Sequence, residues 1–280
     1  MTAFQRAVSV QVGDERGEGL AFDERFRVSF ELTKTLEPEG GDGVVRIYNP
    51  APATRDRLVR DALFVVVAAG YQGAPVGEIY SGDVVRAVYK HERPDTYLEF
   101  ELTDGARAIK NTRISVAFAA GTPIRTVLDA VLNRLDLPVR ETGYEVEGVY
   151  QQGVAFTGLA RDALDRVVAK AGLTWSIQDG RIQILAPDAP ANTSAVRLTP
   201  DTGLIASPEK LDDRESETQR QKGDGYLVRT LMAPKVEPGA SVLLAAQGID
   251  EAEYRVDRVV HLGDTRGNDW YTEAEVYATP

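Results

Sequence analysis

"VVHLGDTRGNDWYTEAEVYATP", residues 259–280, sets His261, Asp264, Asn268 and Asp269 close together and admits two readings. One histidine and two carboxylates on a loop are donor types that hold a divalent ion or move protons. The same segment, "GDTRGND", is also what joins two strands, because Gly, Asp and Asn supply the positive-φ and self-bonding conformations of turns. On the first reading His261, Asp264 and Asp269 are a metal or catalytic site. On the second, "EYRVDRVVHLG" and "DWYTEAEVYA" are strands, the loop is their connection, and the chain ends in a β domain.

Working outward, composition limits the choices. The chain has 280 residues, 43% of them hydrophobic, enough for a real core and for two or three domains. A soluble protein without membrane insertion is expected. No basic-then-apolar leader follows Met1, and the longest apolar run, "ALFVVVAAGY", is strand length, far below the roughly 20 residues of a membrane span. Cysteine is absent, which excludes disulfides, thiolate nucleophiles, zinc–thiolate sites and iron–sulfur clusters. A formal charge of −11 argues against a surface that grips nucleic acid, since phosphate binding needs clustered Lys and Arg. The plain account of that charge is solubility; the sharper one is a surface that avoids DNA.

The first hundred residues alternate. In "FRVSFELTKTL" Phe26, Val28, Phe30 and Leu32 share one face of a half-buried strand. "VVRIYNP" follows a turn-rich stretch, "APATRDRLV" reads as a short helical turn, and the unbroken "ALFVVVAAGY" reads as a strand covered on both faces. "SGDVVRAVYKHE" and "TYLEFELTDG" form a long hairpin around "RPD". These elements predict a first β domain over residues 1–118.

The period then changes. In "TPIRTVLDAVLNRLDLPV" Ile124, Val127, Leu128, Val131, Leu132 and Leu135 form one helical stripe, with Thr122 as N-cap and Pro123 as first helical residue. A second helix, "TGLARDALDRVVAKAG", closes at Gly172 and pairs Arg161 with Asp165 and Asp162 with Arg166. "LTWSIQDGRIQIL" is a hairpin on Asp179-Gly180, which sets Ile177 opposite Ile182 and Trp175 opposite Ile184. "VLDAVLNRLDLPV" echoes "ALDRVVAKAGLTW", Leu128 over Leu164 and Asp129 over Asp165. A small α/β insert of two helix–strand units is expected over 119–188. "YLVRTLMAP", "ASVLLAAQG" and the two closing strands then predict a second β domain over 189–280, interrupted by a long mobile loop at 208–225, where Leu211 is the one aliphatic residue.

Enzyme signals are few. The two histidines, His91 and His261, fall in different domains, and His91-Glu92 reads as strand surface. "GEGLAF" and "GGDG" lack Walker or Rossmann spacing. Trp175, Trp270, Tyr271 and Tyr277 would allow a sugar-binding platform, and the many carboxylates allow a glycosidase pair without pointing to one. No catalytic residue and no cofactor is assigned.

The order of these segments resembles the baseplate hub proteins of tailed bacteriophages. The resemblance lies in "FELTKTLEPEGGDGVVRIYNPAPATRDRL", in "VVVAAGYQGAPVGEIYSGDV", in "GLTWSIQDGRIQIL" followed by "LTPDTGLIASPEK", and in "LMAPKVEPGASVLL" with "YRVDRVVHLGDTRGNDWYTEAEVYA". It covers most of the chain, and its specificity lies in the series. It implies an α+β, mainly β fold of two tail-tube-like β-barrel domains with a small α/β insert. The implied function is structural: a virion protein of the tail baseplate, made in the bacterial host cytoplasm, forming a homotrimer that joins a six-fold tail tube above to a three-fold spike below, in company with other baseplate proteins. DNA would pass through its channel without specific binding, aided by carboxylates facing the lumen. On that account His261 and Asp264 are structural. The competing reading from another class is a phage tail-associated cell-wall-degrading or sugar-binding protein, using His261, Asp264 and Asp269.

Overall fold

The computed structural model describes residues 5–14, 18–38, 40–73, 76–105, 110–140, 144–187, 189–191, 195–211 and 224–279. The first third forms β1 (Arg6–Gly13), β2 (Gly19–Asp23), β3 (Val28–Thr35), β4 (Asp42–Tyr48), α1 (Pro52–Asp61), β5 (Phe64–Tyr71), β6 (Gly77–Glu92) and β7 (Asp95–Thr103). Alternation explains the strands: Val28, Phe30 and Leu32 are buried while Glu31 between them is exposed, and Leu98, Phe100 and Leu102 are the inward series of β7, where Glu99 between them is also buried and pairs with Arg46 and Lys90. The inner faces of all seven strands, with Leu58 of α1, meet in one core. β5 departs from expectation. Val65, Val67 and Ala69 are wholly buried, but its other face is only partly covered.

The middle third holds β8 (Arg113–Phe118), β9 (Thr122–Pro123), α2 (Ile124–Leu135), β10 (Val139–Arg140), β11 (Val149–Tyr150), β12 (Val154–Leu159), α3 (Ala160–Lys170), β13 (Thr174–Gln178) and β14 (Arg181–Leu185). The six residues of the α2 stripe are all buried. The helix starts one residue late: Pro123 is the N-cap, and the Thr122 hydroxyl instead donates to the Ala119 carbonyl at 2.8 Å. Beyond the end of α3, Gly172 has φ +70°, and the Leu173 and Gly172 N–H groups return to the carbonyls of Val168 and Ala169. Asp165, expected as a partner of Arg161, accepts the Trp175 indole N–H at 2.7 Å. The Asp179-Gly180 turn has both residues at positive φ, and Trp175 stands opposite Ile184 and Ile177 opposite Ile182. β10 adds to β14 in parallel, so the strands that follow the two helices share one small sheet. β8 lies within the residues assigned to the first domain, yet it pairs along its whole length with β12 and sends Ile114 into the core of the middle third.

The last third contains β15 (Val196–Leu198), β16 (Glu209–Lys210), β17 (Gly225–Leu231), β18 (Ser241–Ala246), β19 (Ile249–Asp264) and β20 (Trp270–Ala278) around a third core. Both ends of the loop expected at 208–225 belong to the sheet. Glu209 and Lys210 pair with Leu227 and Tyr226, and β17 already begins at Gly225; residues 212–223 lie outside the described residues. Glu209 and Lys210 suit this place, since β16 is the last strand of the sheet path among the described residues and edge strands accept charge.

One feature was not visible in the sequence. The strands of the first and last thirds form a single sheet in the order β16-β17-β20-β19-β3-β4-β7-β6-β5-β1-β2, with β18 on β19 and β15 on β18. The bond between the two halves is the antiparallel pairing of β3 with the second half of β19, Thr35 opposite Arg258 through Ser29 opposite Asp264.

Candidate functional site

The segment that carries His261, Asp264 and Asp269 sits at this seam. His261 and Asp264 are three residues apart on β19, so their side chains leave opposite faces. His261 points inward and is 1% exposed, with Nδ1 2.9 Å from the Thr272 hydroxyl on the neighbouring strand. Burial, with a smaller contribution from the charge of Lys34, lowers its pKa to about 3. Asp264 turns the other way. Partial burial pushes its pKa up, but the Arg27 guanidinium at 2.9 Å and the Arg266 N–H at 2.8 Å outweigh that and hold it below the usual range. The Asp269 side chain is exposed, and its backbone carbonyl accepts the Asp264 N–H at 2.8 Å to close the turn. The three side chains therefore do not converge. Among the described residues no cluster of three or more His, Asp or Glu could hold a metal ion.

What this loop does is join distant parts of the chain. Arg6, at the start of β1, donates to the carbonyls of Asp264, Gly267 (2.6 Å) and Asn268 (3.1 Å), and its guanidinium lies over the Trp270 ring. The Thr265 hydroxyl accepts the Val28 N–H at 3.0 Å, and the Thr265 N–H reaches the Val28 carbonyl at 2.9 Å. The Trp270 indole N–H donates to the Gly70 carbonyl at 3.1 Å, and its ring packs edge-on against Phe30. Chemically this is a latch. A buried histidine with a pKa of about 3 is not a working general base near neutral pH.

A second polar knot ties the α/β segment to the β sheet. Asp104, 1% exposed, accepts the Asp179 N–H at 2.6 Å and the Gly180 N–H at 2.8 Å, so it caps the turn of the β13–β14 hairpin. Burial raises the Asp104 pKa to about 6 despite these bonds. Lys34, 3% exposed, meets the Asp179 carboxylate at 2.5 Å, and the Ser81 N–H takes its other oxygen at 3.1 Å. On the far side of the segment Arg140 pairs with Glu237 at 2.6 Å. Sequence reasoning missed this knot, although one signal was present: Lys34 continues the inward series of Phe30 and Leu32, and a lysine at a core position needs a buried partner. Arg6 and Asp104 gave no such signal.

The aromatic platform is not assembled. Trp175 and Trp270 are buried in two different cores, and Tyr277 is 5% exposed. Their indole N–H groups are already bonded within the chain.

No family model matches the sequence, and a search of curated proteins finds no significant match. Solved structures do match. A 43 kDa tail protein of prophage MuSo2 from Shewanella oneidensis aligns over 99% of this chain and 98% of its own, at 12% identity and a TM-score of 0.67. A tail protein from Neisseria meningitidis MC58 aligns over 98% and 97%, at 12% identity and a TM-score of 0.66. An E. coli component of the type VI secretion system, described as structurally similar to the T4 tail proteins gp27 and gp5, aligns over 91% and 73%, at 10% identity and a TM-score of 0.57. The chain thus has the mainly β fold of phage tail proteins, matched over nearly its whole length.

Proposed function

We propose that this chain is a structural protein of a phage tail, a baseplate hub that joins a six-fold tail tube to a three-fold spike as a homotrimer. The observation that carries the reading is the β3–β19 pairing. It lays two β units side by side in one sheet, so each chain presents two similar units and three chains present six. In this reading the first β unit runs from β1 to β7, the α/β insert from β8, whose partner is β12, to β14, and the second β unit from β15 to β20.

In this arrangement the sheet face opposite the cores lines the channel. That face is less acidic than the formal charge suggests. Arg46 pairs with Glu99, Arg86 with Glu101, Arg229 with Glu273 and Arg258 with Glu275, while Lys90 shares Glu99. The negative excess includes exposed Glu209, Glu31 and Asp42, the last two of which line a groove of about 420 Å³ with Glu101. A wall of paired charges with a slight negative excess gives phosphate no patch to bind.

Light scattering behind a sizing column, combined with electron microscopy of polymerised tail-tube protein, tests the reading. A mass near three times the 30.5 kDa chain and rings seated on tube ends are expected. A monomer that leaves tube ends bare would overturn it. So would peptidoglycan clearing in a zymogram that disappears in Asp264→Ala.

A further inference from the structure

Five strands of each β unit repeat the registers of the other, while the strands beyond them differ, β1 lying antiparallel on β5 and β15 parallel on β18. β6 and β19 are each 16 residues long, and β7 and β20, the strands that follow them, are each nine. In both hairpins the register slips at the same place, between Val84 and Arg86 against β7 and between Val256 and Arg258 against β20. The preceding strands repeat too: Phe64 stands opposite Asp83 and Ser241 opposite Arg255, with a second irregularity beyond Val67 and Leu244. Arg86 faces Glu101 and Arg258 faces Glu275 as cross-strand ion pairs of 3.3 and 3.2 Å. One strand further out Arg46 meets Glu99 at 2.7 Å, and Arg229 meets Glu273 at 2.8 Å. Glu101 and Glu275 lie opposite Val44 and Leu227, which in turn lie opposite Glu31 and Glu209. The strands β3-β4-β7-β6-β5 thus correspond to β16-β17-β20-β19-β18.

This correspondence exposes an asymmetry. In the second copy, the half of the long strand beyond the bulge pairs with the first copy's outer strand, β19 with β3. In the first copy the equivalent half, Arg86–Glu92, has β7 on one side and, among the described residues, no strand on the other. At the opposite end β16, the counterpart of β3, terminates the sheet path among the described residues. The chain therefore ends in the two halves of a contact it already makes once internally. We infer that Val88, Tyr89 and Lys90 of one chain pair antiparallel with β16 and Leu211 of a second copy, repeating the centre of the β19–β3 contact between chains. Such a head-to-tail contact closes a ring or grows a filament, and a sheet edge that carries no further strand among the described residues is a template for it. The register follows. Leu262 lies opposite Glu31, Leu262 corresponds to Lys90 and Glu31 to Glu209, so Lys90 of one chain faces Glu209 of the next, with Tyr89 facing Lys210 and Val88 facing Leu211. The charge pair at the centre is complementary. Lys90 stands on the solvent face beside Glu99 at 2.5 Å, positioned to turn toward a second carboxylate.

The inference deepens the proposed function and rests on it only for closure of the ring. The absence of cysteine makes the test clean. Lys90→Cys and Glu209→Cys are placed in one chain, and Glu31→Cys with Leu262→Cys in another as the internal control at the equivalent register. Under mild oxidation the control should close within one chain, while Lys90→Cys/Glu209→Cys should give covalent products at multiples of the chain mass, reversed by reductant and absent from either single variant. Light scattering on unmodified protein separates the failures. An oligomer whose 90/209 pair stays reduced while the control closes overturns this contact and leaves the hub reading standing. A monomer with no cross-link at any concentration overturns the contact as one between copies, and the tube-end imaging then decides the tail role alone.

Discussion

At the scale of single residues, two buried titratable groups act in opposite directions. His261 has its pKa lowered from 6.5 to about 3, so between those values the unfolded chain binds a proton that the folded chain does not. Its contribution to stability is present above pH 6.5 and is lost as pH falls toward 3. Asp104 has its pKa raised from 3.8 to about 6, so the folded chain holds the extra proton in that window, and stability falls as pH rises through it. The two slopes oppose each other between about pH 4 and 6 and flatten the native profile. Urea unfolding across pH 4–7 checks this. His261→Gln should make the protein gain relative stability on acidification, and Asp104→Asn should make it lose stability more steeply than the native chain. Gly263 is a second residue-scale case. It stands opposite Phe30 across the seam, and a Cβ there would land on the Phe30 ring. Gly263→Ala should cost about 1–3 kcal/mol by overpacking, read as a lower urea midpoint.

Between elements, the β13–β14 hairpin is held to the β sheet by its turn. Lys34 from β3, Asp104 beyond β7 and the Ser81 N–H from β6 all converge on Asp179 or its neighbouring N–H groups. Asp179→Asn keeps a residue that tolerates the left-handed conformation and removes the charge that matches Lys34. It should destabilise by about 2 kcal/mol, less than a fully buried pair because Asp179 is 22% exposed. Calorimetry gives the distinctive sign: the α/β segment should melt ahead of the rest in the variant, since the knot and Arg140–Glu237 are bonds that cross its borders. The helices and hairpin of that segment were legible in sequence because each follows a local rule, the six-residue stripe of α2, Gly172 after α3, and the Asp-Gly turn. The knot was not, because Asp104 and Asp179 are far apart in sequence and meet only once the sheet and the hairpin are both formed.

For the whole molecule, the duplicated unit makes association a matter of edge chemistry. Lys90→Glu places like charges at the centre of the proposed contact and should weaken association roughly five-fold, about 1 kcal/mol. Lys90→Glu with Glu209→Lys should restore it. Sedimentation at several concentrations measures both, and a single variant that associates as the native chain does would argue against the Lys90–Glu209 register. The repeated Arg–Glu pairs, Arg46–Glu99 with Arg229–Glu273 and Arg86–Glu101 with Arg258–Glu275, belong to this scale as well. Each looks like ordinary surface charge until strand pairing brings its partners together.

The sequence by itself determined the element types and their order: alternating strands, then two helices and a hairpin, then strands again. Those signals are local periodicities of two and 3.6 residues, written within a dozen positions. Tertiary structure alone decided that His261, Asp264 and Asp269 face apart, that Trp175 and Trp270 fill two separate cores, and that β3 and β19 fuse the two β units into one sheet. The physical reason is that strand partners are chosen by long-range hydrogen bonding and by which faces can be buried together. Val28, Phe30 and Leu32 must be covered on one face, while the edge of the same strand is free to take any partner of matching register, and only the folded chain supplies β19.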